Sequence, residues 1–422
     1  MRDQSSHVTM THEQAVKTLL EHCDFDQQTE TIPLIEAYHR VLAEDIVAKQ
    51  DKPNCLTCLM DSVAVHWDDF ENGMPDTSGW ERGKQWEFAN TGIGMPEGFD
   101  SAIVVENVTF SDDDTHVSFA AAPSARFAGT KPAGSTFKEG ELLIWSGTVI
   151  TPGIAAVIAE AGYTQVSVIR KPRVAFIPTG NELVPPQGAP ARAKVVDSNS
   201  IMLRGKVREW GGEPITYDIV PDDPELIEQA LRRACEEADI VVINAGSSKG
   251  SADFNIEVLE KIGTVFYHET NHGPGHHSSG AVVDGTPVVG ISGPPRGAGF
   301  TSDFYLKPLV NQFLGQQPDD VTVLAKLTED FPTMWHHAKS DKPVGEKRPS
   351  VARGDEEFCS IRFVHLSQDA ETGELLVTPV GSKAGEIELE GTDAYYPCPS
   401  FPGAEKPKKG DMIRVILRAP RL

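Results

Sequence analysis

Three Gly- and Ser-rich segments carry residue types able to hold an anion: Thr179-Gly180-Asn181-Glu182, the run Asn244 to Asp253 (NAGSSKGSAD), and Gly293-Pro294-Pro295-Arg296-Gly297. Turns of this composition let backbone N–H groups approach an oxyanion, and Lys249 and Arg296 supply counter-charge. Each segment follows a short apolar run (RVAFIP, DIVVI, GIS), so the plain alternative is an ordinary strand-to-helix turn. His268, His272, His276 and His277 crowd the run HETNHGPGHH at spacings that bind zinc on a helix. Gly273-Pro274-Gly275 breaks such a helix, which favours a polar loop. Cys55 and Cys58 form one C-x-x-C pair without a second, and read as two loop thiols. No G-x-G-x-x-G follows a strand and no Gly-Lys-Ser/Thr occurs, which weakens nicotinamide and P-loop chemistry.

The elements that must position these loops are marked by periodicity and punctuation. From Arg173 onward apolar runs alternate with helical segments: RVAFIP, SNSIMLRGKVREWGG, ITYDIV, PDDPELIEQALRRACEEA, DIVVINAG. Strands alternating with helices predict a mostly parallel sheet covered by helices, with the three loops at the carboxyl ends of its strands. Asp197 or Ser198 caps the first of these helices, Gly211-Gly212 stops it, and Pro224 opens the next. A helix around ADFNIEVLEKIG, a strand TVFYHE, a hairpin turning at Asp284-Gly285 and a helix near 298–313 complete the unit. Upstream, Thr11 and Gln14 form a capping box that predicts a helix near 12–22. Short apolar runs between Gly, Pro and Asp then predict a β-rich module over about 31–150, and Thr151-Pro152 starts another helix. After 320, the polar stretch His336 to Glu357 predicts a mobile loop, and CSIRFVHLSQ, ELLVTPVG and DMIRVILRAP predict a small β-barrel or sandwich. The expected division is 1–172, a helical and β-rich region of two subdomains; 173–320, the α/β domain; and 321–422, a β-barrel-like domain.

The chain has 422 residues, 39% of them hydrophobic, and its 62 acidic against 38 basic side chains give a net charge of −24. Such a charge repels phosphate backbones and anionic lipid, which argues against nucleic acid and membrane partners. No apolar run reaches the roughly 18 residues needed to span a bilayer, and the first sixteen residues do not resemble a secretory signal. With six irregularly spaced cysteines, reduced thiols and a cytoplasmic location are expected.

Several motifs, in order along the chain, resemble those of the molybdopterin molybdenumtransferase family. Met60-Asp61-Ser62-Val63-Ala64-Val65 resembles M-D-G-Y-A-V; Asn90-Thr91-Gly92 and Pro96-Glu97-Gly98-Phe99-Asp100 resemble M-T-G and P-E-G-A-D-A. Thr179-Gly180-Asn181-Glu182-Leu183, Asp197-Ser198-Asn199 and Ile219-Val220-Pro221-Asp222-Asp223 resemble T-G-D/N-E-L, D-S-N and I-V-P-D-D, and Asn244 to Asp253 parallels S-G-G-V-S-V-G-E/D-x-D. The resemblance spans nearly the whole chain. It implies a multidomain α/β plus β protein: a β-rich N-terminal region, a molybdopterin-binding-like α/β domain and a C-terminal small β-barrel, assembled as a homodimer. The implied reaction inserts molybdate into adenylylated molybdopterin with release of AMP, using Mg²⁺. By position, Asp61, Thr91 and Glu182 would line the reaction site, with Asp61 and Glu182 as metal ligands. Asp197, Ser198, Gly246, Ser248, Lys249, Asp253, His276 and Arg296 would border the pterin nucleotide.

The chain departs from the family pattern at several points. K-P-G-K-P is replaced by Gly273-Pro274-Gly275-His276-His277, P-G-N-P by Gly293-Pro294-Pro295-Arg296, and the Gly-Tyr of M-D-G-Y-A-V by Ser62-Val63. Gly129-Thr130-Lys131 stands where G-E-D is usual. These changes are expected to cluster at the active cleft, with Lys131, Lys249 and Arg296 offering charge from new directions. The alternative to a transferase is a non-catalytic or altered-specificity paralogue that binds molybdopterin as a carrier, sensor or scaffold.

Overall fold

The computed structural model describes residues 10–187, 190–244, 254–317, 320–332, 358–381, 386–401 and 403–418. The polar stretch from His336 to Glu357 lies outside them, as do Gly246, Ser248, Lys249 and Asp253. The chain divides into two compact units, Gln28–Ile169 and Met1–Gln27 together with Arg170–Leu422.

Helix α1 (His12–Glu21) starts at Thr11, whose side chain accepts from Gln14 N while Gln14 reaches back to the Thr11 backbone, the capping box expected from sequence. In the first unit, β1 (Thr29–Pro33) pairs antiparallel with the later β5, and β2 (Ser62–Val65), β3 (Trp86–Ala89) and β4 (Ser101–Val104) form a sheet with β2 in the middle. Val63, Val65, Phe70, Trp86, Ile103 and Val117 make its core. Helix α2 (Pro152–Glu160), capped by Thr151, buries Ala155 and Ile158 in a separate core beside β5 (Gln165–Ile169).

The second unit continues with β6 (Arg173–Ile177), α3 (Asn199–Glu209), β7 (Glu213–Thr216), α4 (Pro224–Glu237), β8 (Ile240–Asn244), α5 (Phe254–Ile262), β9 (Thr264–His268), β10 (Ser279–Val283), β11 (Thr286–Ile291), α6 (Pro295–Thr301) and α7 (Lys307–Phe313). The sheet runs β7-β6-β8-β11-β10-β9, parallel through β7, β6, β8 and β11, antiparallel beyond. Its central strands carry no polar side chain over residues 174–177, 240–243 and 287–291, all buried, because both faces are covered. Ile227, Leu231, Val258 and Leu259 of α4 and α5 pack on one side, while α3 and α6 contact strands of the sheet. The β10–β11 hairpin turns on Asp284 and Gly285, both at positive φ (50° and 85°), as Asp-Gly predicts. Between α6 and α7 the expected continuous helix is interrupted by a π-helical turn, Ser302–Leu306.

The C-terminal strands β12 (Thr322–Leu327), β13 (Cys359–Gln368), β14 (Leu375–Pro379), β15 (Ala394–Pro399) and β16 (Met412–Leu417) close into a five-stranded barrel, β13-β14-β12-β16-β15 and back to β13. The apolar centre holds Ala325, Leu327, Val364, Val377, Ile413 and Val415. Among the described residues no helix is long and apolar enough to cross a membrane.

Candidate functional site

Register places three loop origins side by side. Ile177 pairs with Ile243 and Asn244 pairs with Ile291, so β6, β8 and β11 end at one sheet edge. The loops after β6 and β11 leave there. A layer of buried amides joins them: Asn255 Nδ2 donates to Thr179 Oγ1 (3.2 Å) and to the Asn244 carbonyl, and Asn199 Nδ2 donates to the Gly293 carbonyl (2.9 Å). The Oδ1 atoms of Asn199 and Asn255 are buried without a hydrogen-bond partner among the described residues. A buried unpaired carbonyl costs free energy, which sets these two atoms apart from the paired groups of the layer.

The Thr179–Glu182 loop is tied to the Ile219–Asp223 loop by a reciprocal pair, Asn181 N to Asp222 Oδ2 (3.1 Å) and Asp222 N to Asn181 Oδ1 (3.4 Å). Gly180 has φ +146°, and a Cβ there would meet the Glu182 carboxylate at 2.8 Å. Glu182 is exposed and its carboxylate lies over that glycine. Asp197 is buried and accepts from the backbone N of Ser200 (3.1 Å) and from its hydroxyl, so it supplies the bond that starts α3. Ser198 occupies the cap position, is exposed, and makes no capping bond.

Arg296 is exposed on the first turn of α6, behind Pro295. Gly297 lets this turn approach the Gly273–His277 segment: a Cβ on Gly275 would meet Thr301 Cγ2 at 2.9 Å and the Gly297 carbonyl at 3.4 Å, and one on Gly297 would meet Ser292 Oγ at 2.5 Å. The structure therefore packs the His276 turn against the turn that carries Arg296. The histidines do not stand on one helical face. His272 is buried, His276 and His277 are half-buried with ring centroids 3.7 Å apart, and His277 lies 3.6 Å from Glu269. That hydrogen bond from His277 is the main reason the Glu269 carboxyl falls below its ordinary range. Among the described residues no three His, Cys, Asp or Glu side chains are grouped to hold a metal ion.

In the first unit, Asp61 immediately precedes β2 and Thr91 follows β3. The antiparallel pairing of Ser62 with Ala89 brings both to one end of the sheet. Thr91 donates to Asp61 Oδ1 twice, from its backbone N and from its hydroxyl, both at 2.9 Å. The backbone donor first, then the hydroxyl, lowers the Asp61 pKa, so the carboxylate stays anionic near neutrality. Gly92 turns the chain at φ +73° and its N–H reaches the Cys58 carbonyl (2.9 Å). Ser62 and Val63 are not at an open surface, which corrects the expected clustering of departures: Val63 is fully buried in the Trp86 core, and Ser62 is buried and donates to the Met60 carbonyl (2.9 Å). Lys131 Nζ is engaged with Thr136 Oγ1 (2.7 Å).

Sequence reasoning did not single out Asn255 or the buried role of Asn199. The available signal was a polar residue ending an otherwise apolar strand, Asn244, with one Asn early in each of α3 and α5.

Residues 10–162 match the family described as "MoeA N-terminal region (domain I and II)", and residues 175–312 match the "Probable molybdopterin binding domain". The chain is 28% identical over 419 residues to the molybdopterin molybdenumtransferase of Bacillus subtilis, covering 94% of this chain and 91% of that protein. It is 29% identical over 320 residues to that of Haemophilus influenzae, covering 73% and 78%. The crystal structure of a molybdopterin biosynthesis MoeA protein from Pyrococcus horikosii shares the fold with a TM-score of 0.73 at 23% identity, covering 97% of this chain and 99% of that one.

Proposed function

Because the chain belongs to the molybdopterin molybdenumtransferase family and acts in molybdenum cofactor biosynthesis, we propose that it inserts molybdate into the dithiolene of adenylylated molybdopterin and releases AMP through Asp61, Thr91 and Glu182. The observation that carries the site assignment is the Asp61–Thr91 pair, an exposed carboxylate held in one orientation by two donors on a single residue. Exposed aspartates ordinarily rotate. One fixed by a neighbouring strand end is prepared to orient a water or an oxo group at no cost during reaction.

Mg²⁺ fits this donor set. The described hydrogen bonds to Asp61 fall on Oδ1, and a hard cation bound by one carboxylate oxygen completes its shell with water and substrate phosphate oxygens. Asp61 and Glu182 are the residues we assign to it; when bound it supplies charge neutralisation at the phosphoanhydride. On the α/β unit the proposed pterin-nucleotide residues are Asp197, Ser198, His276 and Arg296, with Gly246, Ser248, Lys249 and Asp253 in the segment outside the described residues. Arg296 supplies positive charge at a helix start whose N–H groups also favour an anion. We further propose a homodimer and a cytoplasmic location.

The test is AMP release from adenylylated molybdopterin by purified protein, with and without molybdate and Mg²⁺. Release that depends on molybdate and Mg²⁺ is expected. Tight binding with no release overturns the transferase reading.

A further inference from the structure

His272 immediately precedes the Gly-Pro-Gly segment and is buried, and its bonds define its tautomer. Nδ1 is 3.0 Å from the Pro274 carbonyl, and Nε2 is 2.7 Å from the Tyr305 hydroxyl. A carbonyl only accepts, so Nδ1 carries the proton, and Nε2 accepts from Tyr305. The hydroxyls of Thr270 and Ser278, 3.2 Å apart, hydrogen-bond the Tyr305 oxygen in turn. These two residues stand at either end of the His276 turn, and Thr270 N also donates to the His276 carbonyl (2.9 Å). Tyr305 is supplied by the π-helical turn Ser302–Leu306. There Phe304, Tyr305 and Leu306 are all buried in succession, with Phe304 against Tyr395 of the barrel and Tyr305 stacked on His272. Such turns within helices recur where a side chain must be aimed.

We propose that His272 is the positioning residue of the Gly273–His277 turn. Its Nδ1–H clamps the Pro274 carbonyl, and Tyr305 fixes the ring, so that His276 meets the substrate anion in one orientation. This rests on the proposed function given above, in which His276 borders the pterin nucleotide. The clamp lies inside the fold, away from ligand contact, and acts only through the turn.

Two variants separate positioning from plain packing. Asn at 272 places its amide N–H where Nδ1 stands and keeps the Pro274 bond; Gln places its amide where Nε2 stands and keeps only the Tyr305 side. Both remove a buried ring and both should lower Tm. His272→Gln is expected to raise KM for adenylylated molybdopterin about tenfold with kcat within about twofold, whereas His272→Asn stays within about twofold of wild type in both. Equal KM increases in the two variants, or none in either, would overturn the proposal. Independently of turnover, long-range ¹H–¹⁵N spectra of histidine-labelled full-length protein should show His272 as the Nδ1–H tautomer. His276 ring resonances should move in His272→Gln and not in His272→Asn. An Nε2–H tautomer, or His276 signals indifferent to both variants, sinks the clamp. If wild type releases no AMP while these spectra behave as expected, the transferase reading fails and the clamp stands.

Discussion

Acid should destabilise the second unit through two histidines that the fold keeps neutral. His272 is 1% exposed, and burial, reinforced by His12 and His276 nearby and opposed by the Pro274 carbonyl, lowers its pKa to about 3. His12, at the start of α1, is lowered in the same direction by burial, against the pull of Glu13 and a bond to the Phe304 backbone. A histidine with a folded pKa below its unfolded value binds fewer protons when native. Its contribution is therefore intact above about pH 6.5, is lost as pH falls through that value, and stops changing near pH 3. At pH 5 the unfolded chain has gained about 1.5 pH units of protonation free energy that the native His272 forgoes, or about 2 kcal/mol at 1.36 kcal/mol per unit. The check is urea unfolding of wild type and His272→Asn from pH 7 to pH 5, followed by far-UV circular dichroism. Carboxylate titration is common to both and cancels. Wild type should lose about 2 kcal/mol more than the variant over that range. Parallel curves would show that the ring titrates normally in the fold, and the buried-neutral assignment would be refuted.

Asp61→Asn keeps an acceptor for Thr91 but removes the charge, so molybdate-dependent AMP release should fall at least about a hundredfold while Tm barely moves; a large drop in Tm with normal turnover per folded molecule assigns the residue to folding instead. Asp223 caps α4 by accepting from Glu225 N (2.9 Å) and Leu226 N (3.2 Å), and Asp223→Ala should cost about 1 kcal/mol in denaturant titration with turnover per folded molecule unchanged. Gly275→Ala meets both a φ of +93° and a methyl 2.9 Å away, so it should destabilise by about 1–3 kcal/mol and raise KM for the nucleotide. A neutral effect there would mean the turn is free to move off α6.

Much of this fold follows from local rules. The βα alternation after Arg173 orders the parallel strands, the capping boxes and Pro-N1 signals start α1, α2 and α4 where they are found, and Asp284-Gly285 turns the hairpin. Two barrel strands were not foreseen. β12 reads TVLAKL and carries Lys326, and β15 reads AYYPCP, whose two prolines argue against a strand. Pro397 and Pro399 nevertheless pair opposite Ile361 and Cys359, where the cross-strand partners rather than propensity decide. His272 was illegible for a different reason. Nothing local distinguishes an inward histidine from its neighbours His276 and His277. Its partner lies 33 residues on, in a π-helical turn that a regular 3.6-residue period does not anticipate.

One of the two missing family lysines, at Gly273, meets a crowded backbone. Gly273 pairs in parallel with Ser360 at the end of β13, and a Cβ there would meet the ring of Phe358 at 3.1 Å. A side chain at this position would require the Phe358 ring to give by a few tenths of an ångström. Under the proposed function, positive charge for the substrate comes in part from the opposing turn, where Pro295 leaves Arg296 exposed at a helix start and Gly297 permits the close approach to Gly275. On a chain of net charge −24, a guanidinium beside helix N–H groups is a local exception to the overall field, and the short reach of screened charges gives local placement its weight. That is why the orientation of the Gly273–His277 turn, set by His272 and Tyr305, bears on recognition although neither residue is itself charged.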